Sequence, residues 1–212
     1  MPPWPGGPGF WLVTRHADVQ TVMSRPETRD PATPAALRYV PRMMVNRDPP
    51  DHTRLRHLLT RSFTPRAVAQ LNAGPAHPRG RAVEESLRWW TPVMTFRRTA
   101  TTDCRLGEVN IPAGRKVVVS FTSANRDEAV FAGPDRFDIR RRPNPHLAFG
   151  YGLHSCLGAH LARVQMRALF AEVLARMGRL EYDGRPAFLR SNFQRGVKRL
   201  PVRWSRPAES NR

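Results

Sequence analysis

Residues 149–158 read Phe-Gly-Tyr-Gly-Leu-His-Ser-Cys-Leu-Gly, and the longest helical pattern in the chain starts directly behind them. Glycines at 150, 152 and 158 let the backbone approach its surroundings closely and reach φ/ψ values closed to other residues. From Leu157 to Met177 the apolar residues Leu161, Val164, Ala168, Leu174 and Met177 mark one broad face of a helix. A rigid turn is thus tied to the start of a long core helix, with Cys156 at the junction. Helix-terminal N–H groups aimed at the sulfur favour its thiolate form. Phe149 is placed to pack near it and keep water away.

Taken alone, Cys156 has three readings. A cysteine ahead of a helix is a small buried hydrophobe. The cluster His154, Cys156 and His160 supplies three zinc-ligand types, although no second Cys/His pair stands at useful spacing. A thiolate on a rigid loop, beside glycines that leave room for a flat macrocycle, is an axial haem donor.

The remaining cysteine, Cys104, leaves the chain too poor in cysteine for a disulfide framework, which suits a reducing cytoplasm. The 212 residues are enough to bury a core without such staples. Met1 to Gly9 is rich in Pro and Gly and has no charged region of the kind that opens a secretory signal. No apolar run approaches the ~18 residues of a membrane span. The expectation is a soluble cytoplasmic protein with no membrane partner. The net charge of +18 favours an acidic partner. Of the 35 basic residues only Lys116 and Lys198 are lysines, and the arginines are spread along the whole chain. That distribution speaks against a phosphate-binding stripe, so an acidic protein is expected rather than nucleic acid.

Phe10 to Val13 reads as a strand, followed by a helix burying Ala17, Val19, Val22 and Met23. Residues 26–50 hold six prolines and read as loop. Asp51 to Arg61 reads as a helix with Leu55, Leu58 and Leu59 at helical spacing. Pro65 opens another turn or short helix to Leu71. Residues 72–80 are a breaker cluster. Ala82 to Trp90 is a helix ended by Thr91-Pro92. Val109 to Ile111 and Val117 to Phe121 are strands joined through Pro112-Ala113-Gly114. Residues 124–148 are irregular, and short β-like runs lie near Phe188 and Val202 to Trp204.

The pattern Phe-x-x-Gly-x-x-x-Cys-x-Gly, filled by Phe149, Gly152, Cys156 and Gly158, resembles the haem-binding loop of the cytochrome P450 family. The longer string from His146 to Arg163 is similar to its bacterial, soluble members. The resemblance extends further. Ala82 to Trp89 with Pro92-Val93, and Pro134-Asp-Arg136-Phe137, resemble the family's Glu-x-x-Arg helix and its partner arginine, which implies a structural triad of Glu85, Arg88 and Arg136. Asp48 to Arg56, running on to Arg66, resembles the C-helix, where His52 and Arg56, four apart on one face, meet a haem propionate. Arg98 and His154 match the other propionate-facing positions. Ala124 to Asp127 and Phe137-Asp138 match the meander. All stand in the family's order.

The resemblance implies a mainly α fold with small β-sheets, a partial P450 fold. It further implies haem b with an axial thiolate from Cys156, so that the metal ligand is Cys156 and the cofactor is held by His52, Arg56, Arg98, Phe149, His154, Cys156 and Gly158. The implied activity is monooxygenation of a small organic substrate, with electrons from an acidic ferredoxin-type donor. No residue is assigned as directly catalytic. The expected division is 1–71 through the C-helix, 72–80 as a junction, and 81–212 from the K-helix to the C-terminal strands, all in one haem-centred domain.

Between Leu71 and His77 the chain passes from the C-helix neighbourhood to that of the K-helix. The family places helices D to J there, including the I-helix with its Ala-Gly-x-x-Thr groove and acid for proton delivery. No such string occurs in this sequence. The resemblance therefore implies a proximal wall without the usual distal one, an exposed apolar face on the helix after Cys156, and impaired turnover. A non-catalytic haem-binding remnant and a zinc-binding interaction module are the alternatives.

Overall fold

The computed structural model describes residues 9–25, 28–29, 50–60, 80–177 and 179–205. The expected loop over 26–50 falls almost wholly outside them, as do the helix after Pro65, the 72–80 junction apart from Gly80, and the side chains of Leu55, Leu58 and Leu59.

The main sheet is built on β6 (Lys116–Ser120), whose Val117 and Val119 are buried on one face. The strand β1 (Trp11–Val13) pairs parallel to β6, with Trp11 opposite Val117. On the other side β3 (Thr95–Ala100) runs antiparallel to it and carries β2 (Thr28–Arg29) at the edge, giving the order β1-β6-β3-β2. Helix α1 (His16–Ser24) lays Val19, Val22 and Met23 over Val117, Val119 and Phe121. Its fourth buried residue is His16, not Ala17, which is exposed. His16 is held there because its amide donates to Asp127 Oδ2 at 2.7 Å and its ring Nε2 meets the Pro145 carbonyl at 2.9 Å.

Phe121 opens a short helix, α4 (Phe121–Ala124), instead of extending β6. The expected strand β5 (Val109–Ile111) finds its partner in β4 (Cys104–Leu106), and the Pro112–Gly114 link then feeds β6 into the larger sheet. Among the C-terminal strands, β7 (Leu180–Tyr182) pairs with β10 (Val202–Trp204), and β8 (Ala187–Phe188) with β9 (Val197–Arg199). With α2 (Asp51–Thr60), α3 (Gly80–Trp90) and α5 (Ala159–Arg176), the described residues form a mainly α architecture with small sheets.

No residue of α5 is buried. Its apolar residues encircle the helix, and the side that packs is Met166 and Phe170 against Val83, Leu87 and Ala148. The expected face is displaced because α3 approaches from that side. Leu169 and Leu174 are left exposed at 58% and 62%.

Helix α3 turns Glu85 and Arg88 inward, both fully buried. Arg88 Nε and Nη2 each donate to one Glu85 oxygen at 2.8 Å. Nη1 donates to the carbonyls of Asn125 and Pro134 at 2.9 Å each, and Nη2 also reaches the Arg136 carbonyl at 3.2 Å. Every donor of the guanidinium is thereby used. Arg136 itself corrects the expected triad: its side chain is exposed and only its carbonyl takes part. The second cation on Glu85 is Arg141, whose Nε lies 3.2 Å from Oε2 while its other donors bind the carbonyls of Ala132, Gly133 and Arg136. The turn through Gly133 points the Arg136 carbonyl inward and its side chain out. Burial would raise the Glu85 pKa, but the hydrogen bonds from Arg88 and the Asp138 amide, with the charges of Arg88 and Arg141, hold it below the usual carboxylate value.

Removing this carboxylate strands two buried cations, a change that costs on the order of 3–5 kcal/mol. Glu85→Ala is therefore expected to lose most soluble protein, whereas Arg136→Ala keeps the parent's denaturation midpoint. A parental midpoint for Glu85→Ala, measured in urea, would show that the cluster does not support the fold.

Candidate active site

The 147–158 loop is held at its entry, within its turn and against α1. Its entry is fixed by the buried Asn125, whose Oδ1 accepts the Leu147 amide at 2.7 Å and whose Nδ2 donates to Thr91 Oγ1 at 3.0 Å. Thr91, at φ 46°, closes α3 by placing its own hydroxyl on the Arg88 carbonyl at 2.7 Å. Within the loop, Gly150 (φ 73°) lets its amide reach the Leu147 carbonyl, and the Cys156 amide donates to the Phe149 carbonyl at 2.7 Å. Phe149 and Cys156 are thus tied across the turn.

Gly152 (φ 67°) lies against the end of α1. A Cβ there would stand 2.6 Å from the Met23 carbonyl oxygen and 3.1 Å from Ser24 Cα. Gly158 caps α5 with φ −83°, and a Cβ on it would meet nothing within 4 Å. The protein itself makes no demand for glycine at 158.

The loop borders a cavity of about 420 Å³. Its apolar lining is Leu87, Pro92, Val93, Phe96, Phe121, Ala148, Phe149, Gly150 and Leu157. Cys156, which is exposed, lines it together with His52, Arg56, His154 and Ser155. The polar side of the cavity comes from α2 and the loop, and Arg98 of β3 acts on it from outside the lining. Arg56 on α2 crosses to the loop, donating to the Ser155 carbonyl at 2.8 Å and its hydroxyl at 3.3 Å. The His52 ring is buried, 4.3 Å from that of His154. Strand alternation buries Arg98 and exposes Arg97, which settles which of the two faces inward; the Arg98 guanidinium lies 5.4 Å from the Phe96 ring centroid.

These cations act on His154. Burial first, then the charges of Arg98, His52 and Arg56, lower its pKa from 6.5 to about 4. Each charge felt by that ring is positive, and its buried Nδ1 has no hydrogen-bond partner. The expected haem-facing residues His52, Arg56, Phe149, His154 and Cys156 are brought together at one cavity, while Arg98 acts on His154 from β3 and Gly158 stands just behind the loop. His160, by contrast, does not complete a metal site: among the described residues no three His, Cys, Asp or Glu side chains gather for one.

Two features were not legible as site residues. Arg141 hides in a run of three arginines, and only the fold selects it. Glu84, next to Glu85, takes Arg163 Nε and Nη2 at 2.7 and 2.9 Å and His146 Nε2 at 3.0 Å. The signal for it was the presence of His146 and Arg163 at the two ends of the loop string, facing a helix with two adjacent acids.

The close approach at Gly152 can be tested against Gly107, which has φ 56° but open space around a Cβ. Gly107→Ala carries only the conformational penalty of about 1–2 kcal/mol. Gly152→Ala must also push the loop off α1, so its denaturation midpoint is expected to fall clearly further. Equal losses at the two positions would show that the loop does not rest on α1.

The family description Cytochrome P450 matches residues 80–185, half of the chain. Cytochrome P450-terp of a Pseudomonas species is 45% identical over 126 residues, 59% of this chain and 29% of that protein. The methyl-branched lipid omega-hydroxylase of Mycobacterium tuberculosis (strain ATCC 25618 / H37Rv) is 50% identical over 125 residues, 58% of this chain and 29% of that one. The matched stretch thus spans under a third of the length of these curated relatives. A cytochrome P450 of Mycobacterium marinum, solved in complex with pseudoionone, superposes with a TM-score of 0.82 at 25% identity, covering 94% of this chain and 88% of that one. Loop, buried Glu85–Arg88 pair and matched region agree, and the chain belongs to the cytochrome P450 family with a partial P450 fold.

Proposed function

We propose that this chain is a haem-thiolate protein of the monooxygenase type, with Cys156 as the iron ligand. The observation that carries the reading is the union at one cavity of an exposed thiol, an apolar lining and cationic side chains beside a buried His154 ring nitrogen that has no hydrogen-bond partner. Its volume lies within the range of about 300–1,000 Å³ usual for ligand sites. The fit to haem b is chemical: an apolar body against the apolar lining and two carboxylates near the cations. In this reading His52, Arg56, Arg98 and His154 hold the carboxylates through charge-assisted hydrogen bonds. Arg56 does double duty, because its bonds to Ser155 also set the residue that precedes the ligand. Phe149 excludes water from the sulfur side, and Gly158 leaves space beside the loop. When bound, a thiolate-ligated haem supplies the electron push that favours O–O cleavage.

The segments 1–71 and 81–212 then act as one haem-centred domain, joined at 72–80. The reaction class is hydroxylation or epoxidation of a small organic substrate, using O2 and two electrons. Relatives described as a methyl-branched lipid omega-hydroxylase and a steroid C26-monooxygenase favour an apolar one. The electron donor is an acidic ferredoxin-type protein, matched to the net charge of +18. No described helix is long and apolar enough to cross a membrane, and the proposed setting is the cytoplasm without nucleic acid. A second reading, haem binding without turnover, is favoured by one sequence fact: no Ala-Gly-x-x-Thr string is present to deliver protons.

Expression with haem supply and a reduced carbon-monoxide difference spectrum tests the ligand. The red-shifted band of a thiolate haem is expected in the parent and in Cys104→Ser, and lost in Cys156→Ser. A band that survives in Cys156→Ser refutes the assignment.

Loss of two charge-assisted contacts should speed haem transfer to an acceptor globin by about tenfold or more in His52→Ala/Arg56→Ala. Reversing the exposed Arg140 and Arg142 should not; equal rates in the two variants would count against His52 and Arg56 as the carboxylate site.

Turnover separates the two functional readings. With a reductase and a ferredoxin, reductant consumption is expected to yield peroxide and little oxidised product. One product per reductant consumed would show that another element supplies the distal wall and its proton path.

A further inference from the structure

Glu84 accounts for two contacts that look unrelated in the sequence. Its carboxylate is gripped in a fork by Arg163 of α5 and touched by His146 of the loop. His146 Nδ1 accepts the Ala148 amide at 3.2 Å, so the proton of the neutral ring lies on Nε2 and is donated to Glu84. Beyond the carboxylate, both partners face the same aromatic ring. The Arg163 guanidinium carbon lies 4.6 Å from the Phe149 centroid, and the His146 ring lies 6.1 Å from it at 48°.

A salt bridge that merely ties α3 to α5 needs only opposite charges. This one uses the guanidinium twice, with Nε and Nη2 on the carboxylate and its central carbon over the Phe149 ring; the two-pronged grip that holds it there is one a lysine cannot reproduce. Phe149 in turn is joined to Cys156 by the 2.7 Å hydrogen bond between carbonyl and amide. We infer that Glu84 is a positioning residue for Phe149: through Arg163 and His146 it fixes that ring on the cavity wall beside Cys156. The carboxylate is suited to this. Burial opposes its charge, but the hydrogen bonds of His146 and Arg163 outweigh that and bring its pKa from 4.5 to about 2, so it is ionised throughout the neutral range.

The significance of this inference rests on Cys156 as the haem ligand, but its test needs no haem. 4-Fluorophenylalanine is placed at position 149 alone in the full chain, and the fluorine resonance is read beside the thermal midpoint. The parent should give a line well separated from that of the unfolded chain. In both Glu84→Gln and Arg163→Lys the line should move by about half or more of that separation, because nothing then holds the guanidinium over the ring. If Glu84→Gln fails to fold, Arg163→Lys, which keeps the charge, decides alone. A line that stays in place while the midpoint falls would show a simple tie between helices and overturn the inference. Absence of the carbonyl band would instead strike the haem assignment and leave the fluorine result standing.

Discussion

The structure depends on one buried cation. Arg88 is fully inaccessible, and a guanidinium cannot lose its charge to escape that cost. It is tolerated because each donor is met: two by Glu85 and the others by carbonyls of Asn125, Pro134 and Arg136. Those carbonyls belong to a segment with almost no regular structure of its own. The meander from 125 to 146 is therefore ordered by α3 rather than by repeating hydrogen bonds. Arg141 and Asn144 return to the same carboxylate and close the arrangement.

Order passes from that cluster to the loop. Asn125 offers its carbonyl to Arg88 and its side chain to Leu147 and Thr91, so one residue links the buried cation to the entry of the cysteine turn. On the far side the turn rests on α1 at Gly152 and is gripped by Arg56 at Ser155. Between these supports lies a cavity with an apolar lining, where burial first, and then the charges of Arg98, His52 and Arg56, depress the His154 pKa.

Much of this was legible because it is local. The loop's glycines, the Glu85–Arg88 spacing and the His52–Arg56 spacing lie within one or two turns of chain, and strand alternation in 95–100 separates Arg98 from Arg97 once the inward face is known. What escaped the sequence is what depends on a second element's position. Arg136 and Arg141 are equally plausible partners for Glu85 until the turn at Gly133 sends one out and the other in. The packed side of α5 cannot be chosen from a helix with apolar residues all round; α3 chooses Met166 and Phe170. The same composition, with Leu169 and Leu174 uncovered, marks a helix whose pattern anticipates neighbours on more than one side.

In the proposed reading this arrangement presents the Cys156 sulfur to iron. The most direct measurement is X-ray absorption at the iron edge of the haem-loaded protein. A single sulfur scatterer should appear in the first coordination sphere of the parent and vanish in Cys156→Ser. A parent whose iron shows only nitrogen and oxygen neighbours would contradict the account.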